Sequence, residues 1–102
     1  MEWKTFSESL YKKLGIQDDI NHILFLVGIN ELGKGYSESY TKEEKVELIK
    51  LAKGRIMTMA GYYQQTGVDN EGWPTFSTTE EIITDENQAL KKGIIEYFKN
   101  DL

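Results

Sequence analysis

The sequence predicts an all-α fold: a compact four-helix domain with a long aromatic and acidic loop between helices three and four. Apolar residues recur at steps of three and four over four segments, as they do on the buried face of a helix. Asp, Thr and Gly residues stand where these segments begin and end, and no strand pattern of convincing length appears. We expect a single domain over 1–102, because chains divide only well above about 200 residues.

The first helix is predicted over 2–14. Its apolar residues fall on one stripe: Trp3, Phe6, Leu10 and Leu14. Two lysines in the last turn and Gly15 just beyond are typical of a helix end, where positive charge and positive φ are favoured.

The second helix is predicted to begin at Asp18 or Asp19, whose carboxylates can accept the free N–H groups of a first turn. Gly33 and Gly35 mark its end. The segment is apolar nearly all round, so we expect it to be the central and most buried helix.

Thr41, with Glu44 three residues on, forms a capping box and begins the third helix. We expect this helix to continue to Tyr63 and to bury a broad stripe: Val46, Leu48, Ile49, Leu51, Ala52, Ile56, Met59, Ala60 and Tyr63. Gly54 and Gly61 interrupt the pattern, and each costs about 1 kcal/mol relative to alanine. The close approach of a neighbouring backbone is the expected reason for both glycines.

The segment 61–76 holds four large aromatic residues and two carboxylates. We expect it to be a long loop that Trp73 and Phe76 anchor on helices two and three, while Tyr62 stays exposed. One short helical turn or an extended segment follows, and the fourth helix is predicted over 85–99. Its inward-facing residues are Leu90, Ile94, Tyr97 and Phe98.

The composition argues against several functional classes. Cysteine is absent, which excludes disulfides, thiolate nucleophiles and cysteine-ligated metals and makes a reducing cytoplasm the expected location. The net charge of −5, with lysines dispersed among carboxylates, argues against nucleic acid as a ligand. The longest apolar run, 23–29, is far shorter than the roughly 20 residues that cross a bilayer, and the N-terminus does not resemble a signal peptide.

We predict no catalytic residues, no metal and no cofactor. His22, the only histidine, has only helix-start aspartates near it in the sequence, and these favour capping over catalysis. The turn 69–72 has the wrong spacing for a calcium loop, because the first and twelfth ligand positions would fall on Gly67 and Thr78. A plain acidic turn is the favoured interpretation, with an irregular, weak calcium site as the alternative.

Four short motifs carry a resemblance to known proteins: LVGINELGKG at 26–35, GYY at 61–63, DNEGWP at 69–74 and IIEYF at 94–98. Together they resemble a set of small hypothetical proteins from Bacteroidota, over most of the chain after Ile20, and the segment around 72–74 is the most specific part. The resemblance implies an all-helical, cytoplasmic protein. It implies no activity and no catalytic residues.

The function we predict is a non-catalytic protein-interaction module, a small accessory subunit or adaptor of a larger complex. The partner would be another protein, and a basic surface on it is an open alternative because this chain is acidic. The candidate binding residues are Tyr62, Gln65, Asp69, Glu71 and Trp73.

The alternative is a small-ligand-binding protein or minor enzyme with a pocket between helix two and the loop 61–76. Its lining residues would be Asn30, Glu31, Tyr63 and Trp73, with Glu31 as the proton-transfer group. A pocket of about 300 Å³ or more that contains a buried carboxylate would favour this alternative.

Overall fold

Four helices and a two-stranded antiparallel sheet make up residues 2–33 and 40–101, which are the residues that the computed structural model describes. The elements are α1 (Trp3–Leu14), α2 (Ile20–Leu32), α3 (Lys42–Met59), β1 (Tyr63–Val68), β2 (Pro74–Thr78) and α4 (Glu86–Phe98), followed by a 3-10 turn (Lys99–Asp101). The predicted all-α fold class is therefore wrong. The four helices are present, but the segment 61–76, predicted to be a loop, contains β1 and part of β2.

The predicted helix starts depend on side chains that cap the first turn. Asp19, rather than Asp18, caps α2 and accepts hydrogen bonds from two backbone N–H groups of that turn. Thr41 and Glu44 form both bonds of the capping box on α3, at 3.1 and 3.0 Å. Asp85 caps α4 by accepting a hydrogen bond from the backbone N–H of Gln88. These starts were predictable because capping is a contact between residues only two or three positions apart.

The predicted ends of α1 and α2 are also confirmed. Gly15 and Gly33 both adopt the left-handed conformation, and each donates its backbone N–H to a carbonyl in the last helical turn. Gly35, the second predicted terminator, lies outside the described residues.

The third helix is shorter than predicted. It ends at Met59 instead of continuing to Tyr63, and Gly61, at φ +92°, turns the chain away from the helix axis. The N–H of Tyr62 then bonds back to the carbonyl of Met57 at 2.9 Å. Gly61 is therefore a terminator rather than an interruption, and the freedom of glycine at positive φ is the reason.

The central helix is α3, rather than α2 as predicted, because α3 packs against α2, α4 and both strands. Its buried face also differs from the predicted stripe: Val46 and Met59 are 45% and 42% exposed, whereas Met57 is buried. The core joins all four helices through the following residues: Phe6, Leu10, Ile23, Leu24, Val27, Ala52, Ile56, Met57, Ala89, Leu90, Ile94 and Phe98.

Glycines permit the closest helix contacts. A Cβ added at Gly28 would overlap the backbone carbonyl of Leu48, and one added at Gly93 would overlap that of Ile56. The α2–α3 and α3–α4 contacts therefore both require glycine. Contrary to our expectation, Gly54 does not face a neighbouring backbone. The ring of Phe76 occupies the position that a Cβ at residue 54 would take.

The two strands form a hairpin with one irregularity. Tyr63 pairs with Thr78 and Val68 with Pro74, and the register shifts at Thr66 in a β-bulge. The hairpin was missed because the sequence QQTG over 64–67 has no alternation of apolar and polar residues. The hairpin is attached through the ring of Phe76. This ring contacts Gly54 of α3, which lies more than twenty positions earlier in the chain.

Candidate functional site

The predicted recognition residues are distributed along the hairpin 63–78. Tyr62 stands one residue before β1 and Trp73 one residue before β2, so their backbones lie at opposite ends of the hairpin. At about 3.4 Å per residue the separation is roughly 20 Å. Tyr62, which we expected to be exposed, is half-buried against the core, and the Lys92 ammonium lies 5.7 Å from its ring centroid. The five candidates therefore do not share one patch.

Asp69 organises the turn at the tip of the hairpin. Its Oδ1 accepts hydrogen bonds from the backbone N–H groups of Glu71 and Trp73, both at 2.9 Å. Its carbonyl accepts a third bond from Gly72, which has φ +85°. The Asp69 carboxylate thus stabilises the turn, and Glu71 is the exposed acid beside it.

Four residues, which we call the clamp, hold the middle of the hairpin to the helices: Glu31, Arg55, Gln65 and Phe76. Nη2 of Arg55 donates a hydrogen bond to Oε1 of Gln65 at 3.1 Å. Nε of Arg55 lies 3.5 Å from Oε1 of Glu31. The Arg55 guanidinium also lies 5.8 Å from the ring centroid of Phe76. The side chains of Arg55 and Glu31 are only 26% and 24% exposed, so water screens this pair less than it screens a surface pair. The clamp connects α2, α3 and both strands.

Asn30 and Tyr97 extend the clamp to α4. Nδ2 of Asn30 donates to Oη of Tyr97 at 2.6 Å. Burial raises the pKa of the Tyr97 hydroxyl; the hydrogen bond from Asn30 lowers it, and the charge and hydrogen bonding of Glu31 raise it. The net shift is upward, so this hydroxyl stays protonated and available as a hydrogen-bond donor.

The residues of the predicted alternative pocket are divided among three places. Asn30 and Glu31 lie at the clamp, where each already has a partner. Tyr63 begins β1 at the base of the hairpin, nearly a hairpin's length from Trp73 at the tip. Glu31, the predicted proton-transfer group, is engaged with Arg55. The fold therefore does not bring these four residues around one small pocket.

Trp73 lines a separate feature, which we call the tip cleft. This cleft has a volume of about 220 Å³, and its lining residues are Leu32, Tyr40, Glu43, Glu44, Glu47, Leu48 and Trp73. They come from the end of α2, the start of α3 and the tip of the hairpin. Leu32 and Trp73 are half-buried, and Tyr40 packs edge-on against Phe25 with ring centroids 5.9 Å apart. The cleft thus combines apolar and aromatic surface with three carboxylates.

The three glutamates of the tip cleft differ in their partners. Glu44 is committed to the capping box of α3. Glu47 lies 3.4 Å from Nζ of Lys50, but both side chains are more than half exposed, so the pair is weak. Glu43 makes no ion pair among the described residues. Of the three, Glu43 is the carboxylate most available to a cation outside the chain.

Trp73 is the one lining residue of the tip cleft that was among our sequence-based candidates. A signal for the remainder was nevertheless present in α3. Residues four positions apart share a helix face, so Glu43 and Glu47 are neighbours, whereas Lys42 and Lys45 fall on the other side of the helix. Leu48 is also adjacent to the acidic side. An acidic face next to an apolar residue on a capped helix would have indicated this surface.

Within 2–33 and 40–101, no three His, Cys, Asp or Glu side chains are grouped so that they could hold a metal ion. None of the helices in these ranges has the length and apolar character needed to span a membrane.

No family model, curated protein or solved structure matches this chain. The resemblance to hypothetical proteins of Bacteroidota therefore stays a prediction.

Proposed function

We propose that this chain is a non-catalytic protein-interaction module, an accessory subunit or adaptor that docks on a partner protein through the tip cleft. The observation that carries the proposal is the cleft itself, in which half-buried Trp73 and Leu32 stand beside the acidic start of α3. Aromatic residues at the centre of an apolar patch with a polar rim are typical of binding hot spots. The cytoplasmic location and the absence of a nucleic-acid ligand belong to the same proposal.

The size of the tip cleft favours a protein partner over a small molecule. Pockets for small ligands are usually about 300–1,000 Å³, and this cleft has about 220 Å³. A cavity of roughly 150 Å³ accommodates a benzene ring. The space therefore suits one large side chain presented by another protein.

The internal contacts of the clamp support the same assignment. Its polar groups bind one another and tie the hairpin to α2 and α3, and the neighbouring Asn30–Tyr97 hydrogen bond joins α2 to α4. The clamp therefore fixes the hairpin, and the tip cleft, as the described residues line it, has the volume for a partner's side chain.

A photo-crosslinking experiment in the cells of origin tests this function. A benzophenone amino acid is placed at Glu43, on the rim of the tip cleft, and in a matched variant at Glu80, an exposed position just beyond the base of the hairpin. We expect position 43 to give a discrete covalent adduct about tenfold stronger than position 80, since hot-spot contacts are confined to a small patch.

The adduct should also depend on the apolar surface of the cleft. Trp73→Ala, or Leu32→Gln if the first variant does not fold, should remove it while circular dichroism shows that the helices are retained. Equal adducts from positions 43 and 80, or adducts from neither, would contradict the proposal.

A further inference from the structure

The tip cleft has a charge pattern that specifies its partner more closely. Resting on the proposed function, we infer that its occupant is a basic segment of the partner protein: one apolar side chain in the cleft, flanked by Lys or Arg residues that face Glu43 and Glu47. The occupant is thus a cationic amphipathic peptide segment.

The acidic side chains of α3 are gathered on the cleft side. Glu43 and Glu47 both line the cleft, whereas Lys42 and Lys45 do not. This local separation of charge lies within a chain of net charge −5, so the field at the cleft and the field of the whole molecule have the same sign. A positively charged segment is therefore attracted to this face, and a negatively charged one is repelled.

The positive end of the α3 dipole opposes this attraction but does not cancel it. A helix N-terminus is equivalent to roughly half a unit of positive charge. Glu43 and Glu47 together contribute two negative charges, and Glu47 is only partly offset by its exposed contact with Lys50. The described residues that line the cleft include three carboxylates and no Lys or Arg, and Glu43 has no competing ion pair among the described residues.

The apolar part of the cleft requires more than charge from its occupant. Leu32 and Trp73 leave an apolar space that a hydrated ammonium or guanidinium group alone would not fill, whereas an aliphatic or aromatic side chain would exclude water from it. The long stems of Lys and Arg can then lie along apolar surface while their charged ends reach the glutamates. These two requirements together select a basic segment with one apolar anchor.

The inference is tested by selecting peptides that bind the full chain from a phage-displayed library of random peptides. We expect the enriched peptides to contain a Leu, Ile, Met, Phe or Trp flanked by Lys or Arg. Their affinity is then measured by fluorescence polarisation with Glu43→Gln/Glu47→Gln and, as a control with the same charge change, Glu80→Gln/Glu81→Gln.

The cleft double variant should bind the selected peptide about tenfold more weakly at roughly 0.05 M NaCl, and this difference should shrink at about 0.5 M NaCl because salt screens rim charges. The control double variant should stay within about twofold of the parent, since its charges lie outside the interface. Glu44 is left unchanged because it caps α3.

The outcomes separate this inference from the proposed function. Peptides that lose affinity with Trp73→Ala or Leu32→Gln but carry no Lys or Arg would overturn the basic-segment inference and leave docking at the cleft intact. Equal affinity for the two charge variants would overturn it as well. Failure to enrich any peptide that depends on Trp73 or Leu32 would count against the proposed function itself.

Discussion

At the clamp the hairpin contacts the helices through groups that satisfy one another, and at its tip it borders a cleft that described residues of α2 and α3 also line. Arg55 has three neighbours at the clamp, in Glu31, Gln65 and the ring of Phe76. At the tip, Trp73 borders a cleft of about 220 Å³ whose rim includes Glu43, a carboxylate that makes no ion pair among the described residues.

This difference assigns two tasks to one hairpin. The middle of the hairpin attaches it to α3, and the tip offers a surface to a partner. Substitutions at the clamp should therefore change the free energy of unfolding, and those at the tip cleft should mainly change binding. Variants at Phe76, Gly54, Trp73 and Tyr97 distinguish the two tasks.

Phe76→Ala should destabilise the protein most, by about 3 kcal/mol. The ring is half-buried, like that of Trp73, but it fills the space over Gly54 on α3, and this loss is at the low end of the range for Phe→Ala. At roughly 4–8 °C per kcal/mol, the melting temperature should fall by about 12–24 °C. Thermal unfolding followed by circular dichroism measures this fall. Val68→Ala, at a strand residue that is 64% exposed, is the control and should melt close to the parent. Similar melting of the two variants would show that Phe76 does not hold the hairpin.

Gly54→Ala should have an effect whose sign depends on Phe76. In the parent, the added methyl overlaps the Phe76 ring, and displacing the ring should cost about 1–3 kcal/mol. In the Phe76→Ala background the clash is gone, and the higher helix propensity of alanine should stabilise α3 by up to about 1 kcal/mol. A double-mutant cycle by urea unfolding measures this coupling. Additive effects would contradict the direct packing of Phe76 on Gly54.

Trp73→Ala should lower the free energy of unfolding by only about 1 kcal/mol, since the indole is half-buried and borders open space. This loss is smaller than a fully packed tryptophan would give. Chemical unfolding of Trp73→Ala beside Phe76→Ala provides the measurement. A loss for Trp73 equal to or larger than that for Phe76 would make the tip, rather than the clamp, the main attachment of the hairpin.

Tyr97→Phe should have the smallest effect, and the effect should depend on pH. The pKa of the Tyr97 hydroxyl is raised above its ordinary value of 10.0, so the folded state favours the protonated form. The stabilisation is therefore fully present below about pH 10 and is lost as pH rises through the folded-state pKa. The stability difference between parent and Tyr97→Phe should accordingly decrease at alkaline pH. Urea unfolding between about pH 8 and pH 11 measures it, with exposed Tyr11→Phe as the control. A difference that grows with pH would contradict the direction of the shift.

The helices and most of their ends follow from local patterns along the chain. Capping by Asp19 and Thr41, and termination at Gly15, involve residues within one turn of each other, so their patterns are visible along the chain. The turn around Asp69 was predictable for the same reason, since its hydrogen bonds span at most four positions.

The hairpin, the central position of α3 and the tip cleft depend instead on contacts between residues far apart in the chain. A strand is stabilised by its partner and by the surface beneath it, and 64–67 carries no local pattern that specifies either. The space over Gly54 exists for a ring that lies more than twenty positions later in the chain. The tip cleft likewise depends on α2, α3 and the hairpin meeting at one place, because its lining residues come from three separate segments.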